Sequence, residues 1–225
     1  GGTIHLRVLG ADGAVTSEAE APLLDAGDQQ FEPDLARSGS NRIFMAFSST
    51  RIDGNGLGVG LREVLVAANG AITFGTATGM AATITGDQQR PKVAFDRDGG
   101  RVVWVHGDAT KSLMSRRIRL DGTPRSAMEN GLGSMETTTA ISLAGATSRL
   151  WLTWQSNDVT VSGLVFPSNG DTSESIEKLT WNWNPHIIPL GEEGLLLTQN
   201  STGVMGPIHA LRLGSDGRAI GEPFV

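Results

Sequence analysis

Apolar and polar residues alternate over short stretches, and each stretch ends at a small or acidic residue followed by Gly. The phrase occurs five times. Ile4 to Leu9 runs into Ala11-Asp12-Gly13, Leu61 to Val66 into Ala68-Asn69-Gly70, and Arg117 to Leu120 into Asp121-Gly122. Val161 to Phe166 then meets Ser168-Asn169-Gly170, and Ala210 to Leu213 meets Ser215-Asp216-Gly217. A period of two predicts half-buried strands, and Asp-Gly or Asn-Gly between two strands predicts a tight hairpin.

Between these hairpins lies a second set of strands. Extended segments, several next to a proline, reach a turn and then the strongly apolar stretches Arg42 to Phe47, Arg101 to Val105, Arg149 to Trp154 and Leu195 to Thr198. No long helical period interrupts them. With the strands of a unit labelled A to D, the chain reads C-D and then four A-B-C-D units. The hairpin glycines recur about every 50 residues, the spacing of propeller blades. The expected fold is an all-β propeller or partial propeller in one domain, residues 1–225. It has a half blade at about 1–24 and blades at about 25–80, 81–130, 131–178 and 179–225. Val93, Phe95, Val103, Trp104, Leu150 and Leu152 are expected in the core, and a β-sandwich is the competing fold. The first unit lacks A and B strands, so the terminal sheet edges are expected to meet a protein partner or another propeller segment.

Composition narrows the classes of function. The net charge of −6 lacks the basic footprint of nucleic-acid binding, and no apolar run is long enough for a helical membrane span. With no cysteine there is no thiolate nucleophile or Cys-based zinc site, and the absence of tyrosine removes a phenolic nucleophile. His5, His106, His186 and His209 show no paired metal-ligand spacing. Asp96-Arg97-Asp98-Gly99 opens like a calcium loop but lacks the later ligands, so it reads as an A-to-B turn. No metal or cofactor is expected.

The phrases Gln89-Arg90-Pro91-Lys92-Val93-Ala94-Phe95-Asp96, Gly100-Arg101-Val102-Val103-Trp104 and Arg117 to Gly122 resemble repeats of bacterial secreted and cell-surface β-propellers. That resemblance spans nearly the whole chain and implies an exported interaction protein of the cell envelope or exterior. Sialidase-like propellers stand further off, because their Ser-x-Asp-x-Gly-x-x-Trp turn and tyrosine nucleophile are both missing.

Ligand chemistry is expected on the face where the D-to-A and B-to-C connections emerge. The D-to-A segments carry Asp28, Gln29 and Gln30, then Asp87, Gln88 and Gln89, then Ser134, Met135 and Glu136, then Asn182, Trp183 and Asn184. The B-to-C loops add Asp53, Asn55, His106, Asp108, Asn157 and Asp158. Amides, carboxylates and an indole suit a sugar, whose hydroxyls need donors and acceptors and whose apolar face stacks on a ring. The Gly-Asp-Gln-Gln repeat also suits a purely architectural role, with Asp capping a turn and Gln bridging blades. Trp181 and Trp183 equally suit packing between blades. The expected function is a non-catalytic binding or scaffold protein of the bacterial cell surface, with a glycan-binding, lectin-like propeller as the alternative. A glycoside hydrolase using Asp28, Asp87 and Glu136 is the second alternative.

Overall fold

The computed structural model describes residues 3–15, 21–22, 29–39, 42–54, 56–81, 85–107, 111–125, 130–135, 140–157, 160–168, 173–180, 182–200 and 206–225. The described residues contain strands, turns and bends but no helix. A two-stranded pair, β1 (His5–Leu6) with β2 (Ala21–Pro22), precedes four larger antiparallel sheets. The first is β3 (Gln30–Arg37), β4 (Ile43–Ser49), β5 (Gly58–Val66) and β6 (Ile72–Phe74), with β7 (Thr78–Gly79) also on β5. The second is β8 (Gln88–Phe95), β9 (Gly100–His106), β10 (Lys111–Ile118) and β11 (Asn130–Met135). The third is β12 (Ile141–Gly145), β13 (Arg149–Asn157), β14 (Thr160–Pro167) and β15 (Glu174–Thr180). The fourth is β16 (Asn182–Leu190), β17 (Glu193–Asn200) and β18 (Ile208–Leu213).

The first strand of each larger sheet packs on the first strand of the next: β3 on β8, β8 on β12 and β12 on β16. The sheets therefore radiate from a shared inner edge. Side-chain alternation explains why their second strands are apolar on both faces. On β9, Val102 and Trp104 face the first sheet's Phe44, Ala46 and Leu61, whereas Val103 and Val105 face Leu150, Leu152 and Trp154 of the third. On β13, Trp151 turns to Ile187, Leu196 and Leu211 of the fourth sheet. On β4, Met45 and Phe47 turn back to Ile4 beside the initial strand pair. All six residues expected in the core are buried.

Four of the five expected hairpins share one geometry. The amides of Gly13, Gly70, Gly122 and Gly217 donate to the carbonyls of Gly10, Ala67, Arg119 and Gly214. Asp12, Asn69, Asp121 and Asp216 each accept the amide two residues onward through Oδ1. The glycine φ angles lie between 80° and 82°, the left-handed region that a side chain disfavours. Asn169 and Gly170 of the remaining hairpin lie outside the described residues.

Three expected details change. The outer strand of the first sheet is split into β6 and β7, with Gly75 donating to Glu63 O between them. Ser134 and Met135, expected in a connection, belong to β11 and pair with β10. The segment after Gly217, where the D strand of the fourth A-B-C-D unit is expected, makes isolated bridges at Ala219 and Phe224. It contains Gly221 with φ 77° and Pro223, which has no N–H to extend a ladder.

Candidate functional site

Three of the four inner strands carry a proline near their start: Glu32-Pro33 in β3, Arg90-Pro91 in β8 and Asn184-Pro185 in β16. Proline donates nothing to a ladder, and the residue before it is kept out of the right-handed helical region. The pairing register slips at each place, between Phe31 and Asp34, Gln89 and Lys92, and Trp183 and His186. At these bulges Glu32, Arg90 and Asn184 adopt φ of 53°, 54° and 47°. They are the non-glycine residues with positive φ among the described residues. Backbone in that region costs on the order of 1–3 kcal/mol and persists only where its surroundings enforce it. A bulge also re-aims side chains that strict alternation would place elsewhere.

The bulges of β3 and β8, with Ala140 and Ile141 at the start of β12, line a cavity of about 310 Å3. Glu32 Oε2 accepts the backbone N–H of Arg90 at 2.5 Å, and Oε1 lies 3.7 Å from Arg90 Nε. Asp34 Oδ1 takes Lys92 Nζ at 3.2 Å, and Oδ2 accepts the N–H of Val93 at 2.8 Å. Between the third and fourth sheets, Ser142 Oγ accepts the N–H of Ile187 at 3.1 Å and sits 3.4 Å from His186 Nδ1. Glu32 is the more open carboxylate, 41% exposed against 24% for Asp34. Acid, guanidinium, ammonium and an apolar wall thus meet at the end of the strands from which the D-to-A connections arise.

The residues expected to bind ligand divide differently. Gln30 and Gln88 are 2% and 0% exposed, a correction to their placement on a binding face. Successive strand residues point to opposite sides, so one glutamine of each pair turns inward. Gln30 Oε1 accepts the N–H of Ile4, and Gln88 Nε2 donates to Gly86 O. Asp87 Oδ1 accepts the N–H of Leu57 in the preceding sheet at 2.9 Å, and Gln89 Nε2 reaches Asp87 Oδ2. These contacts are architectural but with roles other than those weighed: Asp87 reaches across to the first sheet, Gln88 and Gln89 bond within their own turn, and Gln30 is the glutamine that reaches a distant segment. Asp53 and His106 are half-buried at the same seam, whereas Gln29 and Asn184 are exposed. The backbones of Asn157, Asn182 and Trp183 lie on β13 and β16, but their side chains are outside what the structure describes. Asp28, Asn55, Asp108, Glu136, Asp158 and Trp181 lie outside the described residues.

Glu32, Asp34, Arg90 and Lys92 escaped the reading from sequence. The available signal was a charged residue on each side of a proline in two successive repeats. Among the described residues, no group of three His, Cys, Asp or Glu is placed to hold a metal.

No protein-family model and no curated protein matches the chain. Solved structures do match. A Hadza microbial sialidase aligns with TM-score 0.55 at 10% identity, over 84% of this chain and 45% of that one. Trypanosoma rangeli sialidase, in complex with 2,3-difluorosialic acid as a covalent intermediate, aligns with TM-score 0.53 at 8% identity, over 96% and 40%. The same sialidase with sialic acid gives 0.52. The fold is that of the sialidase β-propellers. The chain spans less than half the length of these enzymes.

This likeness corrects two expectations. Sialidase-like propellers are near in fold, although the chain lacks their turn motif and any tyrosine. The hairpins built on Asp12, Asn69, Asp121 and Asp216 serve as blade turns here, so the missing motif bears on sequence and not on architecture. The non-catalytic scaffold assignment is overturned as well, because the structures sharing this fold are hydrolytic enzymes. Neither the charge balance nor the loop polarity had excluded that class.

Proposed function

We propose that the protein acts as a glycoside hydrolase, with its site in the cavity at the bulged starts of β3 and β8. The observation that carries this reading is the convergence of Glu32, Arg90 and Lys92 on one cavity at proline-flanked bulges, where Glu32 and Arg90 hold left-handed backbone. Such strain is retained where geometry matters more than stability. The sialidase-like fold supports the same class of chemistry at the level of architecture.

In this mechanism Glu32 is the general acid–base. It gives a proton to the leaving glycosidic oxygen as the C–O bond breaks and takes one from the water that replaces it. Arg90 and Lys92 bind substrate oxygens, and Ala140 and Ile141 face the apolar side of the ring. Asp34 is a positioning residue, holding Lys92 and the backbone at Val93. The repeat resemblance to bacterial secreted and surface propellers supports a place of action at the cell exterior, where glycans are met.

A panel of fluorogenic aryl glycosides and oligosaccharides tests the proposal. Turnover of at least one member is expected, with Glu32→Gln lowering kcat by about 100-fold or more and Arg90→Ala acting mainly on KM. No turnover across the panel, or an unimpaired Glu32→Gln, overturns it.

A further inference from the structure

At the opposite end of the strands, the hairpin around Gly122 of the second sheet leans on the first sheet. Gly122 has φ 82°, and a Cβ at that position would overlap the Phe44 ring, so the hairpin approaches as only glycine allows. The contact does not seal the seam. A cavity of about 150 Å3 remains, lined on its polar side by Arg42, Glu63, Thr76, Thr78, Asp121 and Thr123.

The one cation of this cavity is already spent, and Asp121 leaves the lining with a surplus carboxylate. Arg42 forks onto Glu63, with Nε to Oε1 at 2.5 Å and Nη2 to Oε2 at 2.6 Å, while its guanidinium lies 5.3 Å from the centre of the Phe44 ring. This fork holds the Glu63 carboxyl below its usual range. Hydrogen bonds from the Thr123 hydroxyl and amide do the same for Asp121. An anion would find no surplus cation here, and a metal ion would find Glu63 already committed to Arg42. What remains is the hydroxyls of Thr76 and Thr78, which both donate and accept, the Thr123 oxygen as an acceptor, one carboxylate and the part of the guanidinium donor set not spent on Glu63. Phe44 and Leu61 complete the wall with apolar surface. Matched donors and acceptors over an apolar patch suit a neutral polyhydroxyl ring.

We propose that this cavity is a second saccharide site, binding one neutral hexose unit of a glycan at the far end of the strands from Glu32 and Arg90. The proposal rests on the reading that the protein handles glycans, but it is tested by binding and not by turnover. Lactose, maltotriose and N,N′-diacetylchitobiose are each titrated into the full chain by calorimetry, with saturation-transfer NMR reporting contact. At least one is expected to bind with Kd on the order of 1 mM. Affinity should be unchanged in Glu32→Gln and fall by about ten-fold in Thr123→Val and in Thr78→Val. Two variants on different sheets guard against a local folding defect in either one. No binding by any of the three sugars overturns the site, and so does binding that Glu32→Gln abolishes while both threonine variants retain it. Glycan turnover without such binding would defeat this proposal alone, whereas binding without turnover would defeat the hydrolase reading alone.

Discussion

Asp34 on the inner strand of one sheet accepts the backbone N–H of Val93 on the inner strand of the next, at 2.8 Å. Its other oxygen holds Lys92 Nζ at 3.2 Å. The contact sits immediately after the bulge that turns Arg90 into the cavity, so one carboxylate ties the adjacent strand down where its own ladder is broken. Ser142 and Ile187 repeat the backbone half of this arrangement between the third and fourth sheets.

Removing that tie should be felt in both stability and activity. Asp34→Ala leaves the N–H of Val93 without its acceptor and is expected to cost about 1–3 kcal/mol in denaturant unfolding. Asp34→Asn keeps an acceptor but loses the charge facing Lys92, so it should recover most of the stability while KM stays raised. Equal recovery of both quantities would show that Asp34 has no role in presenting the site.

The left-handed backbone at Arg90 makes a second prediction, with opposite signs for stability and function. Arg90→Gly relieves the φ of 54° and gives up a partly exposed ion pair with Glu32, so stability is expected to hold or rise by up to about 1 kcal/mol. Activity should fall together with substrate affinity. Thermal unfolding and steady-state kinetics on the same preparation check the pair.

Two hairpin glycines with nearly the same φ separate backbone strain from sheet docking. Gly13, at 80°, has nothing within 4 Å of an added Cβ, so Gly13→Ala should cost about 1 kcal/mol. Gly122, at 82°, abuts Phe44, and Gly122→Ala should cost about 1–3 kcal/mol more. Equal losses in denaturant melts would mean that the hairpin does not bear on the first sheet.

Two carboxylates should give stability–pH profiles of opposite slope. The hydrogen bond from Arg42 lowers the Glu63 pKa in the folded state, so its contribution is present above the unfolded value, about 4.3, and is lost as pH falls through the folded one. Glu63→Gln should therefore be less stable than the parent at pH 7 by about 0.5–1 kcal/mol, with the difference vanishing in acid. Asp96 is buried, and burial raises its pKa against the opposing hydrogen bonds from the Asp98 and Gly99 amides. Its ionisation weighs on the fold as pH rises from the unfolded value through the folded one. Asp96→Asn should be the more stable form at pH 7, with that advantage fading as pH falls. Unfolding midpoints measured from pH 3 to pH 8 check both signs.

The sequence by itself determined the strand order, the hairpins and the two-faced core. Each of these follows from short-range chemistry: a period of two, an Asx side chain reaching the amide two residues on, and a glycine free to take positive φ. Trp104 and Val103 could be assigned to a core because neighbours on an apolar strand face opposite sheets. Tertiary structure alone decided which polar residues were free to meet a ligand. Gln88 and Gln89 look equivalent as letters, yet packing of the second sheet against the first buried one and linked the other to Asp87. The cavity at Glu32, Arg90 and Lys92 was hidden for a related reason. A proline announces a broken ladder but not the sign of the preceding φ, and here that conformation coincides with the hold of Asp34 and Glu32 on an adjacent strand 58 or 59 residues away.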